Sequence, residues 1–585
     1  MSTTELPWLP QDEAASWQRV RRYAVPRSMI ELATERRLAG DWRGACAAAN
    51  VDVAFDLAEV AARAGREVAE AIEEDLTHFA PDLLRWHLPR YLGGRTTLAP
   101  RRTITLAGYG PDVLLQVRTP PMVDGPQRIV LRVHGNAKGA RARDSYGSGD
   151  ARALWDARRV DGLRRLCGGG ARLPFFHGDG TPLRPDELPG VRPPRPAGAG
   201  GPGRPTAAGG ADPATWAEWV IGLLDGDRVV EAFDAVGIQP ADWNPELPSW
   251  RGRRQPLALL RRLPLALTRI PAAVREVCAA TGAGSVRILL SWQVGLHLSP
   301  DEEGVVWAWF TDARKDRDAT PLPDVLWRRL PDFDLLRTGR LDPDRLHPLV
   351  RAAFFPDRAA AVGPVGPPEP ALPEPVRVRC RGEWHEVQSR DGELGIPHTE
   401  AEVRREQALR AFGGKSAGCF AVRQAWRESD GRLPRRLRAQ RQEFFSLVQQ
   451  GDTRGVLRLL DAGVDPRLRN GRRQTLLHLL HLVDHEPLLP RLLKAGLDLE
   501  ARDHHDRTPL HIAVGDNGSP ALVEALLAAG ARVDVVDHSD WSVRDLIRVR
   551  KRKDLPFLAE RLEGREDLDN HDWWDEDVDE DEEDE

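Results

Sequence analysis

The sequence predicts a multidomain chain: α+β N-terminal regions, then a C-terminal all-α solenoid of stacked repeats, then a disordered acidic tail. Three observations predict it. The 585 residues exceed what one hydrophobic core supports, so about three to four folded units are expected. Apolar spacing changes from helical over 10–95 to alternating after Gly94. Thr-Leu-Leu-His at 475–478 returns as Thr-Pro-Leu-His at 508–511, and that interval is the period of a stacked-repeat architecture.

Residues 1–95 carry apolar side chains three and four apart and read as a helical region. Over 96–190, "TITLAGYG", "DVLLQVRTP" and "QRIVLRVHG" read as a β-meander, and "DARALWDARRVDGLRRL" reads as a helix. Residues 191–214 are rich in Pro, Gly and Ala and read as a flexible linker. A second mixed, mainly helical domain is expected over 215–360, with "SVRILLSWQVGLHL" and "GVVWAWFTDA" as candidate buried strands. Residues 361–375 form a stiffer Pro-rich linker. Over 376–440 a hairpin turning at Arg390-Asp391-Gly392 precedes a helix that starts on a Thr399-x-x-Glu402 capping box.

From 441 to 562 the periodic positions are explicit. Leu-Leu pairs recur at 459–460, 492–493 and 526–527, each followed by a glycine, Gly463, Gly496 and Gly530. "RTPLHIAVGDNGSPALVEALLAAGARVDVVD" resembles the ankyrin repeat, and "QTLLHLLHLVDHEPLLPRLLKAGLDLEARD" resembles it more loosely. With a first repeat lacking its hairpin and a charged last repeat, about four repeats are expected. Thr508 is placed to cap a helix, Pro509 suits its first turn, and Leu510 enters the core between repeats. His511, like His478 after Thr475, reads as a structural hydrogen-bonding residue. Two departures stand out: Leu476 replaces the proline, and Arg473, Asp506 and Asp540 occupy the hairpin position where ankyrin repeats carry glycine. Arg tolerates positive φ less well than Asp, which places the hairpin before Thr475 in question. The high Arg, Ala, Gly and Pro content points to a high-GC bacterium, and the whole chain resembles the large ankyrin-containing proteins of actinobacteria.

The resemblance implies a partner protein bound on the concave face of hairpin tips and inner helices. By register the tips are Arg472, Gln474, His504, His505, Arg507, His538, Ser539 and Trp541. Trp among Arg and His is the composition of an interface hot spot, although Trp541 could equally cap the stack. The net charge of −6 hides an asymmetry: residues 563–585 hold fifteen acids and one Arg. Such a segment cannot bury enough apolar surface to fold. Its adjacent Trp573 and Trp574 suggest docking on the Arg432–Arg441 run or on the tip face.

Chemical motifs are few. "AFGGKSAGC" lacks the first glycine of a P-loop, since position 409 is Leu, and Gly413-Gly414 reads as a helix end. His134-Gly135 follows a strand, yet no G-x-S-x-G elbow exists. His177 and Asp179 fall in a Gly-rich turn. His478, His481 and His485 fall on one predicted helical face without a completing Cys or acid, so no metal is expected. The cysteines, Cys46, Cys167, Cys278, Cys380 and Cys419, are widely scattered with no CxxC, so neither disulfides nor a zinc module nor any cofactor is expected. With a sequence pI of about 6.3, nucleic acid is not an expected partner. No leader or membrane span is legible, and the cytoplasm is the expected compartment. The function expected is a non-enzymatic protein-interaction scaffold or regulator. The alternative is an enzyme of unrecognised type within 96–360, targeted to its substrate by the repeats, which a cavity lined by polar residues such as His134, Asn136 and Arg132 would favour.

Overall fold

Short alternating Val, Ile and Leu segments set the architecture of the N-terminal half. The computed structural model describes residues 8–110, 112–134, 144–147, 149–196, 212–242, 256–316, 319–414, 416–428 and 431–563. They divide into two compact units, 1–372 with 442–459, and 373–441 with 460–585.

In the first unit the meander forms as its alternation predicts. Thr103–Gly108, Leu114–Arg118 and Ile129–His134 pair antiparallel in sequence. The predicted helical region is not wholly helical, because Val51–Val53 joins this sheet parallel to Ile129–His134. The β-branched Val-x-Val favours a strand, and Val51 is buried there. The strand order is Val51–Val53, Ile129–His134, Leu114–Arg118, Thr103–Gly108 and Asp144–Ser145. The predicted helix after the meander is instead two 3-10 turns, Gly149–Leu154 and Ala157–Arg159, and one short helix, Gly162–Leu166. Asp156 ends its pattern early by accepting from the Arg158 backbone, a turn that competes with helix. The first candidate strand of the next region is a hairpin, Val286–Leu289 and Val294–Pro300, and the second is Val306–Asp312; Val294–Pro300 lies between the other two and pairs antiparallel with both. One buried apolar cluster includes Ile104, Leu131, Phe233, Val286 and Phe354, so both sheets feed a common core. Most of the predicted first linker, 197–211, lies outside the described residues.

The second unit opens with a three-stranded sheet, Val376–Cys380, Glu383–Arg390 and Glu393–Gly395. The turn at Arg390-Asp391-Gly392 is present, with Asp391 and Gly392 at φ of 50° and 76°. A second tight turn at Arg381-Gly382, also at positive φ, precedes it. The helix Glu400–Ala411 starts on the predicted capping box, with Thr399 and Glu402 satisfying each other's backbone amides. It ends where Gly413 and Gly414 return hydrogen bonds to Arg410 and Leu409. The helices Gly418–Arg427, His485–Lys494, Pro509–Gly515, Pro520–Ala528 and Val543–Val549 follow. Gly463, Gly496 and Gly530 all take positive φ, and at Gly463 a side chain would press on the Arg390 backbone at 3.0 Å. The solenoid is not uniformly helical. Leu476–Leu482, the counterpart of Pro509–Gly515, is a run of turns ending in a 3-10 segment, so His478, His481 and His485 do not share a helix.

Candidate protein-binding face of the repeats

Each hairpin is built around one Asn or Asp. The Oδ1 of Asn470 accepts from the amides of Arg472 and Gln474 at 2.8 and 3.0 Å. Asp503 does the same for His505 and Arg507, and Asp537 for Ser539 and Trp541. These side chains close the turns, so Arg473, Asp506 and Asp540 are held at φ near 60° without glycine. The hairpin before Thr475, in question for its Arg473, therefore forms. The signal was an Asn or Asp at 470, 503 and 537, in step with the repeat.

Successive hairpins are joined by a carbonyl ladder. Arg472 O accepts from the backbone N–H and from Nδ1 of His504, at 3.0 and 3.1 Å. His505 O accepts from the same two groups of His538, both at 3.1 Å. A carbonyl can only accept, so Nδ1 carries the proton in both rings and Nε2 is left as an acceptor. Arg469 and Arg502 reinforce the ladder, each donating to a carbonyl of its own hairpin and of the next repeat.

Below the tips each Thr pairs with the His three residues on. The Thr475 hydroxyl lies 2.9 Å from His478 Nδ1, and Thr508 lies 2.8 Å from His511 Nδ1. His478 Nε2 donates across the repeat boundary to Arg507 O at 3.1 Å. Burial pushes the His478 imidazole down to about 4, against the opposing pull of Asp503. His511 is shifted down for the same reason. Both are neutral structural residues.

The structure sorts the expected tip residues. His504, His538, Ser539 and Trp541 are exposed, and Arg472, His505 and Arg507 are half-buried. Gln474 is not a tip residue: it is buried, receiving from Asn470 Nδ2 at 2.8 Å and donating to Asp503 Oδ2 at 3.3 Å. Arg507 is committed inward as well, paired at 2.9 Å with the Asp503 carboxylate. The His505 ring neighbours those of His504 and His538, with centroids 3.7 and 4.8 Å away. The face offers an exposed indole beside imidazole acceptors. Trp573 and Trp574 lie outside the described residues.

Elsewhere, His134 ends its strand opposite Leu114. Arg132 donates to Gln116 within the sheet at 3.3 Å, and Asn136 lies outside the described residues. Asp179 closes a turn by accepting from Thr181 N, and His177 faces Glu187 at 3.5 Å. No helix among the described residues is long and apolar enough to cross a membrane. One expectation needs correction. Although no Cys/His spacing is visible in sequence, Cys380, His385, His398 and Cys419 converge, their ligating atoms all within 4.8 Å of one another. They come from a hairpin and the starts of two helices, so no short motif announces them.

A family model described as ankyrin repeats matches three copies over residues 444–537. The chain is 37 % identical over 59 residues to "Protein fem-1 homolog A" of Danio rerio, covering 10 % of this chain and 9 % of that protein. It is 39 % identical over 69 residues to "ADP-ribosylation factor GTPase-activating protein AGD4" of Arabidopsis thaliana, covering 12 % and 9 %. The chain thus spans less than a tenth of the length of either relative.

Proposed function

Residues 444–537 are ankyrin repeats, and we propose that this protein is a non-enzymatic scaffold or regulator that holds a partner protein on their hairpin-tip face. The observation that carries the proposal is the tip row. The exposed side chains of His504, His538, Ser539 and Trp541 stand on a rigid, hydrogen-bonded hairpin ladder that fixes them before binding. Trp541 is the anchor. It is 40 % exposed, so its ring is partly seated on the stack and partly available. Arg472, His505 and Arg507 on the hairpins of the repeats are half-buried. An enzyme within 96–360 draws no support from Arg132, which is held inside the sheet.

The test is Trp541→Ala in the full chain, with binding to its captured partner and thermal stability measured together. Loss of a central aromatic anchor weakens binding by about 2 kcal/mol, roughly thirtyfold, with the melting temperature little changed. A drop in melting temperature with unchanged affinity of the folded fraction would assign the ring to capping the stack instead.

The acidic segment 563–585 adds a regulatory element to the proposal. Its docking through Trp573 and Trp574 on the Arg432–Arg441 run or the tip face would compete with the partner. Arg432, Arg435, Arg436 and Arg438 are exposed and available for it.

A further inference from the structure

Two cysteines and two histidines that the repeats do not use meet at one point in residues 376–427. Cys380 ends the strand Val376–Cys380, and His385 lies in Glu383–Arg390. In the antiparallel register Val378 faces His385 and Cys380 faces Glu383, so Cys380 and His385 are diagonal neighbours on one face. His398 precedes the capping residue of the helix Glu400–Ala411, and Cys419 lies in the first turn of Gly418–Arg427. Gly418 sits at φ +57°, and a Cβ there would lie 2.5 Å from Cys380 Sγ, so the close approach of helix and hairpin requires glycine.

Three of the six separations match a tetrahedral ligand set, and all lie within 4.8 Å. Bonds of about 2.3 Å to sulfur and about 2.05 Å to nitrogen put sulfur about 3.6 Å from nitrogen, and nitrogen about 3.3 Å from nitrogen, around zinc. Cys380 Sγ lies 3.6 Å from His398 Nε2, and Cys419 Sγ lies 3.5 Å from His385 Nδ1. The two nitrogens stand 3.2 Å apart. The outer ring nitrogens face carboxylates: His398 Nδ1 is 3.6 Å from Glu402, and His385 Nε2 is 3.8 Å from Glu383. A carboxylate there keeps the proton on the outer nitrogen and turns the inner lone pair toward the centre. Two lone pairs then oppose each other beside two buried sulfurs, an arrangement that a cation relieves.

We propose that Cys380, His385, His398 and Cys419 bind one zinc ion, with Glu402 and Glu383 orienting the imidazoles. On binding, each thiol loses its proton to solvent, two Zn–S and two Zn–N bonds form, and two thiolates neutralise the metal's charge. Four protein ligands leave no open position, so the site is structural: it ties the hairpin to both helix starts.

The experiment uses the full chain purified under reducing conditions, with metal content, chelator competition and cobalt substitution as readouts. One zinc per chain is expected, falling to background in Cys419→Ser and in His385→Ala and unchanged in Cys46→Ser, whose cysteine is buried in the first unit. Should the ligand variants fail to fold, the wild-type cobalt spectrum still decides. Intense tetrahedral d–d bands with thiolate-to-cobalt charge transfer support the site; weak octahedral bands overturn it. Glu402→Gln keeps the helix cap but removes the charge, and it should weaken zinc binding about tenfold; unchanged affinity would exclude Glu402 as an orienting residue. A wild-type chain that carries no zinc and takes up none, or that holds a Cys380–Cys419 disulfide instead, overturns the proposal.

Discussion

His478 shows how one residue couples the repeats to pH. Its ring is buried, capped by Thr475 and bonded to Arg507 O, and its folded pKa sits at about 4 against an ordinary 6.5. A histidine depressed on folding contributes stability in full above about pH 6.5, and loses it as pH falls toward 4. That gap bounds the loss at about 3 kcal/mol. Urea unfolding of the repeats should therefore weaken between pH 7 and pH 4.5, and His478→Gln should flatten that dependence; an equal slope in the variant would contradict the assignment. Asp503 supplies a second residue-scale test. Burial works to raise its carboxyl, but the Arg507 ion pair and the backbone amides outweigh it and the net shift is downward. Asp503→Ala leaves two hairpin amides and Arg507 without their acceptor and should cost about 3 kcal/mol. Asp503→Asn keeps the Oδ1 acceptor for both hairpin amides and should cost about 1 kcal/mol, because only the Oδ2 contacts to Arg507 and Gln474 are lost. Equal losses in denaturant unfolding would show that the hairpin does not depend on those amides.

At the scale of elements, legibility followed how local each signal is. The Thr508 cap, the Thr399 capping box and the Gly413-Gly414 helix end are set by side-chain or backbone groups three to five positions away, and all three formed as read. Thr508→Ala should destabilise the helix Pro509–Gly515 by about 1 kcal/mol in the same unfolding assay, and a change near zero would contradict its capping role. The meander was legible because alternation states both strand and face. Val51–Val53 was not, since so short a strand carries too little period to compete with the helical spacing around it. Gln474 was misplaced because register gives a position along the hairpin but not the direction of its side chain, which Asn470 and Asp503 draw inward. The Cys/His cluster escaped for a different reason. Cys380, His385, His398 and Cys419 stand at unequal and lengthening intervals, and only the hairpin pairing and two helix starts bring them together.

For the molecule as a whole, charge is distributed so that fifteen acids within 563–585 oppose an arginine-rich body. Exposed ion pairs contribute about 0–1 kcal/mol each and are screened by salt, so a docked tail competes only weakly and only at low ionic strength. Ending the chain at Gly564 should tighten partner binding at low salt and change little at high salt; no effect at either would leave the tail without a competitive role. The central claim is that the hairpin tips of the ankyrin repeats hold the partner. A photo-crosslinking residue placed at Ser539, on the tips, and separately at Glu524, an exposed position on the helix Pro520–Ala528, tests it most directly in the full-length protein in cells. The account predicts a discrete protein adduct from position 539 that disappears with Trp541→Ala, and none from position 524. Adducts from 524 alone would contradict it.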